Sequence, residues 1–342
     1  MKTGIKILLG LTILAGLFFA GTGAWVWQSL NTPVKTGSRE IVFTVTPGQS
    51  LNQISQALES SGLIPNAFLF SAYTRLQKAE TRIPAGEHLL SGDLSPARIL
   101  DQLLKGNFRL YRLTIPEGLN MDETAAIVAE NGFCHRDDFL TLCRDPAFIA
   151  DLNVPSHTLE GFLFPETYYF PTSATCRQII EKMVATFFEV YTPHWQKKAD
   201  DLGFTLQQVV TLASMVEKEA AVASERPLIA SVFHNRLEKN MRLQSDPTVI
   251  YGDPEFEGRI RTRHLQRQTD YNTYQMHGLP KGPIASPGAR AIEAVLFPAQ
   301  SDYLYFVSRN DKTHHFSKTL AEHNRAVREY QLTPQPARQS SN

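Results

Sequence analysis

A chain of 342 residues is long enough for two or more domains, each with its own core. Its 34 basic and 34 acidic residues leave no net charge, which excludes the broad positive field that holds nucleic acid, so no nucleic-acid partner is expected. Cys134, Cys143 and Cys176 are too few for a disulfide-built scaffold and match no metal-ligand spacing. In an oxidising compartment Cys134 and Cys143 could pair and leave Cys176 free; three small buried side chains are the other reading.

Lys2 and Lys6 precede an uncharged run, "ILLGLTILAGLFFAGTGAWVW", from Ile7 to Trp27. About 20 such residues suffice to cross the hydrocarbon core of a bilayer. A cleaved signal peptide would have a shorter apolar core and a small-residue cleavage site, which Ala20, Gly21 and Gly23 leave open, but Trp25 and Trp27 suit interfacial anchors and favour a retained helix. Lysines before the span and no basic cluster directly after it place the N-terminus in the cytoplasm and everything after about residue 30 outside.

"NTPVKTGSRE", Asn31 to Glu40, reads as a polar linker. "IVFTVTPGQSLNQISQALESSGLI" then alternates like a strand, turns at Pro47-Gly48, and continues with Leu51, Ile54, Leu58 and Leu63 at helical spacing. Its plan recurs about 70 residues later in "YRLTIPEGLNMDETAAIVAENGF", with Ile115 for Val45, Gly118 for Gly48, Met121 for Leu51 and Gly132 for Gly62: a diverged β-turn-α duplication. The first copy resembles the LysM module, a strand-helix unit that binds N-acetylglucosamine-containing glycans; a purely structural role for both copies is the alternative. Between them, "AGEHLLSGDLSPARILDQLLKGN" predicts a hairpin-like piece and a helix capped by Ser95 with Pro96 at its first position.

The segment "TLQQVVTLASMVEKEA" predicts a helix with Thr205 as N-cap and Gln208 completing a capping box. Val209, Leu212, Ala213, Val216 and Ala220 form its apolar stripe. Glu217 and Glu219 lie on opposite flanks of that stripe, about 160° apart, so one can line a cleft while the other faces elsewhere. Periodicity permits a single catalytic carboxyl there and does not say which. Beyond it, Gln244, Ser245, Asp246, Tyr251, Tyr271, Asn272, Tyr274 and His314 alternate with Gly and Pro turns. Sugar sites are built from such aromatic faces and polar groups, although Asp246-Pro247 could cap a helix, the tyrosines could be core, and His314 or His315 could be a surface imidazole.

The motifs "LEGFLFPETYYFP", "ASMVEKEAAVASER", "NRLEKNMRLQSDPTVIYG", "YNTYQMHGLPKGPIASPG", "YFVSRNDKTHHF" and "EHN", in this order behind an apolar N-terminal helix, closely resemble the MltG (YceG-like) endolytic murein transglycosylases. Lys281 departs from the second proline usual after Gly-Leu-Pro in that family. The resemblance implies an α+β protein: a cytoplasmic tip and transmembrane anchor over 1–30, a LysM-like module with linker over 31–107, a second LysM-like repeat with connecting segment over 108–180, a mixed α+β catalytic domain over 181–332 and a polar tail over 333–342. It implies an inner-membrane, single-pass protein with its bulk in the periplasm, acting on peptidoglycan glycan strands, without metal or cofactor, in partnership with peptidoglycan synthases.

The resemblance also implies that Glu219 is the catalytic acid, with Glu217 as the fallback, and that Gln244, Ser245, Asp246, Tyr251, Tyr271, Asn272, Tyr274 and His314 bind substrate. A lytic transglycosylase uses no water, so one carboxyl can protonate the glycosidic oxygen and then accept the proton of the C6 hydroxyl as it closes on C1. A glycan-binding scaffold without activity and a water-using muramidase are the competing readings; the latter would need a second carboxylate, for which Asp246 and Glu166 are the nearest candidates. The charge pattern around the first helix predicts that a C-terminal reporter active only in the periplasm is active in cells and one active only in the cytoplasm is silent. A mature protein beginning near residue 24 would instead identify the helix as a cleaved signal.

Overall fold

The computed structural model describes residues 2–34 and 40–332. The expected polar tail, 333–342, and residues 35–39 of the expected linker lie outside the described residues. The chain divides into two compact units, residues 1–111 with 169–173, and residues 112–168 with 174–342.

The first unit opens with α1 (Lys2–Asn31), whose stretch Leu9–Asn31 is long and apolar enough to cross a membrane. Those properties suit a single-pass anchor and a signal sequence alike. Strand β1 (Glu40–Val45) follows, and its alternation turns Phe43 and Val45 into the core. Ser50 caps α2 (Leu51–Ser60) in a reciprocal capping box with Gln53, and Asn66 caps α3 (Ala67–Leu76). Where a self-contained hairpin was expected, β2 (Gly86–Ser91) instead pairs antiparallel with β1, from Glu40 opposite Ser91 to Val45 opposite Gly86. Its backbone thereby finds partners on one edge in β1 and on the other in residues 107–109, through Leu89 N–H to Asn107 O and Arg109 N–H to Glu87 O, each 2.7 Å. Helix α4 (Pro96–Lys105) starts at Pro96 as expected, but the Ser95 hydroxyl makes no capping bond. Phe43, Ile54, Leu58, Phe70, Leu90, Ile99 and Leu103 form the core of this unit.

Strands β3 (Tyr111–Thr114) and β4 (Thr167–Phe170) pair, and in the second unit Ile115 N–H reaches Glu166 O at 3.0 Å. Between these strands run α5 (Met121–Glu130), α6 (Arg136–Cys143) and α7 (Pro146–Asp151). Both expected repeat segments form strand, turn and ten-residue helix, each helix opening on a capping box. Their turns place Gly48 and Gly118 at the same φ of 78°, a left-handed conformation that disfavours any side chain.

After β4 come α8 (Cys176–Val190), α9 (Pro193–Asp201), α10 (Leu206–Glu219), α11 (Arg226–Glu238), α12 (Asp246–Ile250), α13 (Thr262–Gln266) and α14 (Ala289–Leu296). Strands β5 (Tyr305–Ser308) and β6 (His314–Ser317) form an antiparallel pair, and α15 (Leu320–Val327) packs against both. Helix α10 is the central element. Thr205 and Gln208 close its capping box as expected, and α11 and α14 pack on it. Its burial is wider than the expected stripe, since every residue from Val209 to Val216 is buried. Gly161, at φ 84°, passes so close that a Cβ there would meet Pro283 Cβ at 2.6 Å and Val210 Cγ1 at 2.8 Å, which ties the 159–164 segment to α10.

The cysteine pairing is Cys134 to Cys176, with Cα atoms 5.6 Å apart, and Cys143 is free and buried. Cys134 precedes α6 and Cys143 is its last residue, and the eight residues of the helix hold its ends about 12 Å apart, beyond disulfide reach. Burial pushes the Cys143 thiol well above its ordinary pKa. The bridge closes a loop across a sequence separation of 42, for which chain entropy gives about 4 kcal/mol of stabilisation. Non-reducing peptide mapping should recover the Cys134–Cys176 crosslink, and the double Cys→Ala variant should lose about 2–4 kcal/mol in denaturant titration.

Candidate active site

The two glutamates of α10 part company at its C-terminal end. The Glu217 carboxylate accepts from Arg226 Nη2 at 2.7 Å and from the Gly288 N–H at 3.2 Å, and its side chain is 6% exposed. Arg226 also lies 3.5 Å from the half-exposed Glu117, so Glu217 belongs to a charge cluster that joins three chain segments. Glu219, the last helical residue, turns to the opposite side, where the Ser245 hydroxyl donates to its Oε1 at 2.6 Å.

Burial is the main reason the Glu219 carboxyl is pushed up to about 7; the Asp246 charge pushes the same way, while the Ser245 hydrogen bond and the Arg236 guanidinium oppose it. Its place at the C-terminus of α10, where unpaired carbonyls gather negative potential, also disfavours ionisation. A carboxyl so placed can carry its proton near neutral pH and release it on demand.

Glu219 opens into a cleft of about 510 Å³ within the second unit. Gln244, Asp246, Tyr274 and His314, all expected from the sequence, line it together with Glu219. Ser245 lies just behind, 1% exposed, with its backbone N–H on Thr273 Oγ1 at 2.9 Å. Gln244 sits at φ 49°, a left-handed backbone that is costly for a residue with a side chain and that sets the turn presenting Ser245. Tyr274 donates to Asp246 Oδ1 at 2.6 Å. His314 is held through Nδ1 by Glu225 at 2.7 Å, and the Glu225 carboxylate also accepts its backbone N–H at 3.0 Å.

Three other expected residues lie elsewhere. Tyr251 donates to Glu160 at 2.8 Å, and its ring centroid is 4.6 Å from that of Tyr271; neither tyrosine lines the Glu219 cleft. Asn272 is completely buried, its amide donating to the carbonyls of His264, Leu265 and Arg267, which fixes a loop and leaves no group for a ligand. Glu166, weighed as a base, is exposed and accepts the Thr167 N–H.

Several cleft groups were not singled out from the sequence: Arg236, Tyr305, Ser308, His323, Asn324 and Gln331. Arg236, 7% exposed, donates from Nε to Leu304 O at 2.6 Å and from Nη1 to Leu243 O at 2.7 Å, and stacks over Tyr305. Its signal was present in "NRLEKN", as that of His323 and Asn324 was in "EHN", but helical spacing cannot say which way such residues face. Glu160 was missed too. It is 3% exposed, accepts the Met121 N–H and the Tyr251 hydroxyl, and burial again pushes its carboxyl up to about 7 against those bonds. Among the described residues no cluster of His, Cys, Asp and Glu is arranged to hold a metal.

Fold and cleft together define a mixed α+β protein whose cleft holds one carboxyl, Glu219, pushed up by burial. The chain belongs to the YceG-like family, whose sequence profile it matches over residues 43–329. An endolytic murein transglycosylase of Bacillus subtilis (strain 168) is 31% identical, the match covering 93% of this chain and 91% of that protein. A protein of the same name from Streptococcus pneumoniae serotype 2 is also 31% identical, covering 87% of this chain but 60% of that longer one. The crystal structure of a YceG-like protein of Listeria monocytogenes superposes with a TM-score of 0.58 at 35% identity, over 85% of this chain and all of that one.

Burial of Glu219 makes folding stability depend on pH. Its carboxyl titrates near 4.5 when unfolded and near 7 when folded, so between those values the unfolded chain gives up its proton first and stability falls as pH rises. Above about 7 both states are ionised and the dependence ends. Glu219→Gln should therefore flatten this decline and be more stable than the wild type at pH 8, by on the order of 2 kcal/mol after allowance for partial exposure, in denaturant titrations at both pH values.

Proposed function

We propose that this chain is an endolytic murein transglycosylase that cleaves the bond between N-acetylmuramic acid and N-acetylglucosamine within peptidoglycan strands. The observation that carries the reading is Glu219: a carboxyl held near neutral pKa by burial, aimed into a polar cleft and positioned by Ser245. The names of the similar proteins from Bacillus subtilis and Streptococcus pneumoniae support it.

In this mechanism Glu219 gives its proton to the glycosidic oxygen as that bond to C1 breaks, and the acetamido group of the muramic residue stabilises the positive carbon. The C6 hydroxyl then attacks C1, and the Glu219 carboxylate takes the proton released. Atoms balance without water, and the product ends in 1,6-anhydro-N-acetylmuramic acid. Ser245 holds one carboxyl oxygen, leaving the other for proton transfer, and Arg236 stabilises the carboxylate formed after the first step. Gln244, Asp246, Tyr274 and His314 hold the sugars. Tyr251, Tyr271 and Asn272 act on the loops that carry the site rather than on sugar. In the same reading α1 is a retained inner-membrane anchor, the rest of the chain is periplasmic, and the Cys134–Cys176 bridge suits that oxidising compartment. The LysM-like segments contribute glycan contacts, and the enzyme works on nascent strands beside peptidoglycan synthases.

One observation favours a second reading. Asp246 lies in the same cleft as Glu219, and a second carboxylate is what a water-using muramidase requires. Product chemistry separates the two. Uncrosslinked glycan strands should yield internal fragments whose muramic ends resist borohydride and are about 18 Da lighter than hydrolytic ends, the mass of the water not added. Ends that gain two hydrogens on reduction establish a muramidase, and a folded protein that binds strands without cutting them establishes a scaffold.

The acid assignment has its own test. Glu219→Gln should lower turnover roughly 10²–10⁴-fold with folding intact, the usual worth of a positioned acid. Glu217→Gln should lower stability, through the partner it leaves buried at Arg226, far more than the turnover of folded protein. Because the active form of Glu219 is protonated, kcat/KM should fall as pH rises through about 7. Ser245→Ala, which removes a bond that favours the charged form, should move that descending limb to higher pH.

A further inference from the structure

Helix α3 is apolar on both faces. Phe70 is buried in the core of the first unit, while on the opposite side Phe68 is 77% and Leu76 is 80% exposed, with exposed Ala72 between them. At 100° per residue these three fall within about 80° of arc and form one stripe about 12 Å long. A helix that keeps apolar side chains on its outward face is made for a second apolar surface. Arg75 is exposed beside the stripe, and Lys78 and Arg82 are exposed just beyond the helix end, where Glu80 is the one acidic residue from 67 to 85. Glu80 lies 3.5 Å from Arg75, which leaves Lys78 and Arg82 as the net positive charge.

A neighbour of α3 within the same unit is the apolar helix. α1 packs against α3 and α4, and the residues of its last turns, Val26, Ser29 and Leu30, are half-buried there. Trp25 and Trp27, the interfacial pair, are exposed at the same level. So α3 sits where a membrane-spanning α1 would emerge from the lipid.

We propose that α3 is a second, interfacial membrane contact. Phe68, Ala72 and Leu76 seat at the boundary of headgroups and acyl chains in the leaflet from which α1 emerges, and Lys78 and Arg82 lie on anionic headgroups. This rests on reading α1 as a retained membrane helix. It makes the anchor two-point: α1 holds the unit to the bilayer, and α3 fixes which side of it faces the lipid.

The test uses the full chain in nanodiscs containing anionic lipid and no other protein. Single cysteines replace Ala72, Leu14 in the span, and Glu59 on the exposed side of α2, each labelled with an environment-sensitive fluorophore. The native thiols do not compete, because two are bonded and Cys143 is buried. The expected result is a blue-shifted label at 72, quenched by lipid carrying a shallow nitroxide, with both signals falling to those of the label at 59 in a Phe68→Ser/Leu76→Ser background. A label at 72 as wet as that at 59, while the label at 14 is quenched by a deep nitroxide, overturns the proposal and leaves the anchor standing; this is also the result if the stripe serves a protein partner. An unquenched label at 14 removes the anchor reading and this proposal with it.

Discussion

The site depends on one arrangement, a carboxyl taken out of water at the end of a buried helix. α10 is covered on all sides by α11, α14 and neighbouring loops, so anything on its last turn sits at the edge of the core. Glu217 meets that condition with Arg226, whose guanidinium lies 2.7 Å from its carboxylate. Glu219 has no cation in contact, only a neutral hydroxyl, and with burial and a nearby Asp246 its protonated form is favoured. Two residues of the same kind, two positions apart, thus meet opposite surroundings.

The rest of the second unit reads as support for that contrast. Ser245 reaches Glu219 because Gln244 takes a left-handed backbone and because Thr273 holds the Ser245 N–H. Thr273 in turn follows Asn272, whose amide ties three carbonyls together. The far end of α12 is held where Tyr251 meets Glu160, a buried carboxyl on the segment that Gly161 fixes to α10. A network of this kind holds the Glu219 carboxyl in one position.

The first unit has a different physical logic. Its sandwich of one strand pair and three helices encloses a compact apolar core, yet α3 and the exposed face of α1 leave large apolar side chains uncovered. A protein facing water alone gains nothing from Phe68 and Leu76 in that position. Lipid contact gives those side chains a surface, and it places them next to the helix best suited to enter the bilayer.

Much of this was legible in the sequence because it depends on local order. Hydrophobic length marked α1, helical spacing of Leu51, Ile54 and Leu58 marked α2, and a capping box marked the start of α10. The opposite flanks of Glu217 and Glu219 follow from 100° per residue alone. The motif series pointed to the family. What the sequence left open required knowing what stands opposite a residue. Spacing could not choose between the two glutamates, because their difference is Arg226 on one side and Ser245 on the other, 9 and 26 residues away. It could not pair Cys134 with Cys176, nor see that β2 returns to β1. It set Tyr251, Tyr271 and Asn272 beside the cleft residues, although Tyr251 bonds Glu160, Tyr271 lies against the Tyr251 ring and the Asn272 amide is spent on loop carbonyls. Periodicity fixes which way a side chain leaves its own helix or strand, and only the folded chain supplies the partner that decides its charge, its burial and its use.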